Sequence, residues 1–292
     1  MANSSPIIIS KELKEKLRSL ADRYEVASFV DEDPSQFLRW YRPENGRGTV
    51  ADVEAAAFIA AMLAFGKRKQ FIPKVRGILE TSDRSLGSVT AWLKAGAYCE
   101  DFPHGDAKFY RFYSYDDMQI FFGELADILR QADSLGDFFH KEYTVNPVVE
   151  CGEAAYRNHR STRNCGFDTA SAEAYSTTRD LSSLISSSFP KSAIVPKGRN
   201  SANKRIHMFL RWMVRRDSPV DLGLWTWADP AALLIPLDVH VMQEAVGLGL
   251  LPEGAAASRK TAELLTAAMQ EVFPGDPCRG DFALFGLGVD VV

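Results

Sequence analysis

Closely spaced cysteines are missing from this chain. Its four, Cys99, Cys151, Cys165 and Cys278, include no CxxC pair, which argues against a zinc ribbon or an iron–sulfur cluster and leaves reduced thiols as the default. The five histidines are equally scattered. Asp238 and His240 stand two apart and share no helical face, so no metal site or other cofactor is expected. No apolar run approaches the ~18 residues of a membrane span, and the N-terminal MANSSPIIIS has neither a basic start nor a long apolar core. A cytoplasmic protein without membrane contact is expected. Strand signals are nearly absent as well: only Ile7 to Ile9 reads as β, and no internal repeat is detectable.

What is present is ordinary in bulk and uneven in distribution. A composition of 46% hydrophobic and 25% charged residues supports a substantial core in one large domain or two lobes. The net charge is -4. Yet between Asp180 and Asp217 there is no acidic residue, while Lys191, Lys197, Arg199, Lys204, Arg205, Arg211, Arg215 and Arg216 all fall there. Such a local positive field inside an acidic chain points to a polyanion.

The periodicity is helical almost throughout. Leu13, Leu17 and Leu20 share a face after Ser10, a candidate cap, and residues 34 to 41 add a short helix. Thr49 opens TVADVEAAAFIAAMLAFG, apolar nearly all round and stopped at Gly66, which predicts a helix buried at the centre of a lobe. Gly66, Lys67, Arg68, Lys69 and Gln70 then form a turn before a helix with Phe71, Val75, Ile78 and Leu79 inward. Two readings fit that turn: cations presented to phosphate, or a solvated helix end. Helices over 89–95 and 116–132 follow, joined by FPHGDAKFYRFYSY, an aromatic and basic link suited to packing or to stacking on bases. Residues 146–178 are polar and small, a surface insertion. Leu181 to Phe189 is a short helix. Ser258 caps another with Leu265, Ala268, Met269 and Val272 inward, and DPCRGDFALFGLG ends in a short helix closed by glycine. An all-α fold is expected.

Two residues carry the chemistry. With Ser201 as cap, Lys204 falls in the first turn of a helix whose Ile206, Phe209, Leu210 and Met213 form the buried stripe. An ammonium there meets the positive end of the helix dipole and neighbouring cations, the setting in which a lysine amine becomes a nucleophile. A solvated basic face is the plainer alternative. Asp238, among Leu234, Ile235, Pro236, Leu237, Val239 and Val241, is placed to cap a helix starting at Val239. A carboxylate held by amide N–H groups stays ionised and can serve as fixed negative charge beside a reacting centre.

An Asp in a P-x-D-x-H setting that opens a helix, downstream of a basic helix with an early Lys, resembles the helix-hairpin-helix DNA glycosylase superfamily that includes endonuclease III. The spacing of 34 from Lys204 to Asp238 is longer than in endonuclease III and closer to the archaeal 8-oxoguanine glycosylase branch. The words SANKRIHMFLRWMVR, IPLDVHV and DFALFGLG are closer still to a related bacterial family of unassigned function. The resemblance implies a single helical domain over 8–292, two-lobed with a cleft between the lobes and a polar insertion at about 146–178. It implies a monomeric DNA N-glycosylase with AP-lyase activity, acting on duplex DNA with an oxidised purine such as 8-oxoguanine. Lys204 would attack the sugar C1′ and Asp238 would stabilise the developing sugar cation. Lys67, Arg68, Lys69 and Gln70 match the place where such enzymes wedge the duplex. No L-P-G-x-G-x-K word precedes Lys204, so Lys197, Gly198 and Arg199 would replace the hairpin, with Arg205 and Arg211 as further DNA contacts. Phe65, Trp212, Trp225 and Trp227 are the candidates for the base pocket. No four-cysteine cluster follows Asp238, so no iron–sulfur cluster is implied. SRKTAELL mimics a hairpin helix around Lys260, but the residue 18 further on is Cys278 and not Asp. Two other classes fit the residues: a nucleic-acid-binding protein that kept the fold without the chemistry, and an all-α interaction protein with an acidic partner.

Overall fold

Short polar residues start most of the helices. In the computed structural model, which describes residues 9–145 and 180–290, the Ser10 hydroxyl accepts the Leu13 amide at 3.2 Å and opens α1 (Lys11–Tyr24). A reciprocal capping box between Thr49 and Asp52 opens α2 (Val50–Leu63). The Asp52 carboxylate also accepts from the Ser88 hydroxyl at 2.6 Å and the Thr90 amide at 2.9 Å, which ties α2 to the start of α4 (Val89–Ala95). Between them runs α3 (Arg68–Leu86). After α5 (Tyr98–Asp101) come β1 (Lys108–Tyr110) and β2 (Tyr113–Ser114), an antiparallel pair. The remaining helices are α6 (Tyr115–Gln131), α7 (Leu135–Val145), α8 (Leu181–Ser187), α9 (Lys204–Val214), α10 (Val239–Gly247), α11 (Arg259–Val272) and α12 (Gly280–Asp290). The described chain is predominantly helical, with one small two-stranded sheet. None of its helices is long and apolar enough to cross a membrane.

The sequence reading requires several corrections. The aromatic link after Cys99 contains the β-hairpin, because Phe109, Tyr110 and Tyr113 pack on the first core while the chain reverses at Arg111 and Phe112. Ile9 is not in a strand, and Ile7 and Ile8 lie outside the described residues, as does the 146–178 insertion. Arg68, Lys69 and Gln70 are not loop residues but the first turn of α3. The last helix runs through Gly286 and Gly288. Gly286 is there for close approach: a Cβ on it would fall 2.0 Å from the Tyr24 ring of α1.

Buried apolar side chains form two main clusters. The first gathers residues of α2, α3, α4, α6, α7, α8 and α9 around a helix, α2, that is buried on all sides from Asp52 to Leu63. The second joins Leu17 and Ala21 of α1 to Val241 and Ala245 of α10, Leu265 and Met269 of α11, and Leu284 of α12. The N-terminal helix thus completes the core built by the C-terminal ones.

Helix α9 lies where the two meet. Its periodicity predicts one buried stripe, but every residue from Ile206 to Val214 is buried. Ile206, Phe209, Leu210 and Met213 enter the first core. On another side Arg211 and Arg215 reach carboxylates outside α9: Arg211 meets Asp221 at 3.3 Å and Asp281 of α12. Arg215 meets Asp276 at 2.7 Å, Glu25 at 2.8 Å and Asp221. Arg279 adds bonds to Glu25 at 2.9 Å and Asp22 at 2.6 Å. Burial works against the charge on Glu25, but Arg215 and then further donors hold its carboxyl below the usual range.

Breaking such a network by removing one partner leaves buried charge uncompensated. Arg215→Met is expected to cost about 3–5 kcal/mol in urea unfolding. A loss under ~1 kcal/mol, the level of an exposed pair such as Lys14–Glu271, would show that the two cores are not held together this way.

Candidate active site

Lys204 is the first residue of α9, and its placement departs from the expected cap. Asn203 is the N-cap, in a left-handed conformation (φ 42°, ψ 40°) with no side-chain bond into the helix. Its Nδ2 donates to the Gly198 carbonyl at 3.1 Å, and its Oδ1 is buried without a donor. Ser201 instead forms an isolated antiparallel bridge with Ser258 at the start of α11.

Asp238 is fixed from the other core. Ile235 and Leu237 are buried in the second cluster, and the Ile235 amide donates to the Thr266 hydroxyl at 3.0 Å. The chain then turns into α10, with the Asp238 Oδ1 accepting the Val241 amide at 2.8 Å. The other oxygen, Oδ2, accepts the Lys204 Nζ at 2.7 Å. Helix starts from two different cores therefore put the two side chains in contact. The pair is partly open, with 37% of the Lys204 side chain and 25% of the Asp238 side chain exposed, against 4% for Arg211 and 2% for Arg215. Burial disfavours the Asp238 anion, yet Lys204, the Val241 amide and then His240 hold its carboxyl below the usual range. It is a durable anion and a weak base.

A second carboxylate, not among the residues the sequence singles out, belongs to this neighbourhood. Burial pushes the Asp281 carboxyl up to about 6 despite the Arg211 guanidinium, and it feels both Asp238, which raises it further, and Lys204, which lowers it. Arg211 is shared with Asp221, which is why it does not neutralise Asp281 outright. The word DFALFGLG held the only signal: an acid inside an apolar segment needs a partner. One turn along α9, His207 is buried with Nδ1 unpartnered, and burial pushes its imidazole down to about 4, so it stays neutral.

Four of the nine expected DNA contacts are committed to partners within the protein. Arg211 is buried in its ion pairs. The Lys197 ammonium donates to three carbonyls, of Phe189 at 2.6 Å, Pro190 at 3.1 Å and Ser192 at 2.7 Å. Arg205 donates to the Met62 carbonyl and to the Tyr113 hydroxyl at 3.3 Å, and its guanidinium lies 5.0 Å from the Phe65 ring centroid. Arg68 pairs with Asp33 at 3.4 Å and covers the Phe285 ring. Lys67, Lys69, Gln70, Gly198 and Arg199 are exposed. Three of the eight cations in the acid-free segment, Lys204, Arg211 and Arg215, therefore meet carboxylates from elsewhere in the chain.

The four aromatics expected to line a base pocket all pack in or against the first core. Trp212 and Trp225 are core residues, and the Trp225 indole donates to the buried Glu54 carboxylate at 2.9 Å. Trp227 is stacked between His140 and Trp225, with ring centroids 4.8 and 5.3 Å away. Phe65 is ringed by Tyr110, Phe112 and Tyr113 and by the Arg111 and Arg205 guanidinium groups. Large aromatics next to a core bury their area in it. An open depression of about 380 Å³ lies elsewhere, lined by Arg18, Asp22 and Arg279 among others. Its Arg279 is already committed to Glu25 and Asp22. Among the described residues, no group of three or more His, Cys, Asp or Glu converges as metal ligands.

Two measurements probe the pair and its neighbour. Asp238→Asn keeps a capping oxygen and loses the charge, whereas Asp238→Ala loses both. Thermal or urea unfolding should therefore show the alanine variant about 1 kcal/mol less stable than the asparagine one, and equal stabilities would mean that the cap contributes nothing. Asp281 binds its proton more tightly folded than unfolded, so its stabilisation is full below its unfolded value of about 3.8 and declines as pH rises to about 6. Wild type should lose stability relative to Asp281→Asn across that window; parallel pH profiles would put Asp281 back in the ordinary carboxylate range.

A sequence profile described as a protein of unknown function (DUF2400) matches residues 33–290. No curated protein and no solved structure matches the chain. The match takes in α2 through α12 with both Lys204 and Asp238, and the chain belongs to this family of unknown function.

Proposed function

We propose that the protein is a DNA N-glycosylase with AP-lyase activity, removing an oxidised purine such as 8-oxoguanine from duplex DNA. One observation carries the reading: a lysine amine and a helix-capping carboxylate in contact at 2.7 Å, partly exposed at the start of a helix whose further cations, Arg211 and Arg215, are buried in ion pairs. The resemblance of the P-x-D-x-H setting of Asp238, downstream of a basic helix with an early Lys, to the helix-hairpin-helix glycosylases supports the same assignment.

The chemistry follows from the two environments. The Lys204 ammonium gives one proton to solvent water, and the resulting amine attacks C1′ of an extruded nucleotide. The C1′–N bond breaks and its electron pair leaves with the base, which takes up a proton. As that bond breaks, positive charge grows on the sugar, and a carboxylate that stays ionised stabilises it without reorganising. Asp238, held below the usual carboxylate range, suits that electrostatic role better than the role of a base. The amine then loses a proton as the sugar ring opens to a Schiff base, which permits β-elimination of the 3′ phosphate. Extruding the nucleotide costs a few kcal/mol, and the exposed Lys67, Lys69, Gln70, Gly198 and Arg199 are the side chains and backbone available to hold the flanking phosphates.

Borohydride trapping on duplexes carrying 8-oxoguanine or an abasic site tests the nucleophile. Wild type should form a covalent adduct and Lys204→Gln should reduce it to background. An equal yield from the variant would remove Lys204 from the role. DNA binding by the wild type with no adduct on either duplex would leave a binding protein in place of an enzyme.

A further inference from the structure

The tip of the β1–β2 hairpin faces solvent with an aromatic ring. A single exposed phenylalanine is commonplace, but Phe112, at 60% exposure, is held out by a specific arrangement. The turn between Tyr110 and Tyr113 has two residues, and Arg111 takes the left-handed conformation (φ 52°) that such turns usually give to glycine. The tip rests directly on Gly66, where a Cβ would come 2.5 Å from the Arg111 Nη1. Gly66 itself has a φ of 80°. The Arg111 guanidinium turns back over Phe65, 5.8 Å from its centroid, and the Tyr110 hydroxyl donates to the Phe65 carbonyl. Phe65, Tyr110 and Tyr113 are thus used to seat the hairpin, and Phe112 packs against Phe65 at 5.3 Å and Tyr113 at 4.5 Å with the rest of its ring outward.

The surroundings carry positive charge. Lys67 and Lys69 follow Gly66 and are exposed, as are Lys108 and Arg111 of the hairpin. Arg205, the residue after Lys204, bonds the Tyr113 hydroxyl at 3.3 Å and covers Phe65. The tip is therefore linked through one side chain to the first turn of α9. Cations around an outward aromatic ring are the combination that binds a nucleic-acid strand by phosphate contact and base stacking.

We propose that Arg111 and Phe112 form a base-stacking element. Phe112 packs its ring against an unpaired base of a DNA duplex, while Arg111, Lys67 and Lys69 contact the flanking phosphates. The assignment rests on the DNA reading of Lys204 and Asp238 for its partner, but not on catalysis. It moves the intruding residue from the Gly66–Gln70 segment, whose Arg68, Lys69 and Gln70 are committed to a helix, to the hairpin that sits on it.

The test compares binding to two duplexes, one fully paired and one with a single unpaired 2-aminopurine opposite a stable abasic analogue. Wild type should prefer the second duplex and quench its fluorophore. Phe112→Ala should lose that preference about tenfold at unchanged unfolding temperature, and Phe112→Trp should keep it. Lys67→Ala should weaken both duplexes alike and flatten the salt dependence. Equal preference in wild type and Phe112→Ala overturns the proposal, and so does a wild type that binds neither duplex. A preference that Phe112→Ala abolishes supports it even where borohydride trapping yields no adduct, so this assignment and the enzymatic one fail separately.

Discussion

Lys204, Arg211 and Arg215 recur at spacings of seven and four, which places them along one side of α9. Each meets a carboxylate beyond that helix: Asp238, Asp281, and Asp276 with Glu25. The same helix buries Ile206, Phe209, Leu210 and Met213 in the first core. One element thus commits its apolar side to one cluster and its cations to the other, and the relative position of α1, α10, α11 and α12 depends on that division. Buried ion pairs are weak sources of net stability, because desolvation offsets most of the attraction, but their geometry is demanding. They fix which carboxylate lies opposite which cation.

The cations along this side differ in exposure: the Arg211 and Arg215 guanidinium groups are almost fully buried, each against more than one carboxylate, and Lys204 is partly open. Lys204 and Asp238 stand at the open end, joined by one contact and anchored by two helix starts. Asn203 adds to the tension there, with a left-handed backbone and a buried oxygen that lacks a donor. Local strain of this kind costs of order 1–3 kcal/mol and collects beside functional groups. Asp281, whose carboxyl burial pushes up to about 6, feels the charges of both Asp238 and Lys204.

Charge and aromaticity were redistributed in a related way. The cations of residues 181–216 looked unopposed, yet folding supplies Asp221, Asp238, Asp276, Asp281 and Glu25 for three of them, and backbone carbonyls for Lys197 and Arg216. The tryptophans after α9 were drawn into packing against Glu54, His140 and one another. Lys191 and Arg199 of the 181–216 segment are exposed, as are Lys67, Lys69 and Arg111 around Gly66 and the hairpin tip.

Periodicity and capping chemistry were enough to read most helices, because a hydroxyl or carboxylate three residues before an apolar repeat acts locally. Ser10, Thr49, Ser258 and Asp238 cap as their sequence positions suggest. Helix α7 and the hairpin are not legible in the sequence, the second because strands of three and two residues carry too little alternation to stand out. By itself the sequence determined a helical chain, a lysine at one helix start and an aspartate at another. Only the tertiary structure decided that these two touch, that Arg211 and Trp225 are interior, and that Phe112 is not. Those outcomes depend on which surfaces two separate cores bury against each other, and burial at that range is a property of packing that no local pattern encodes.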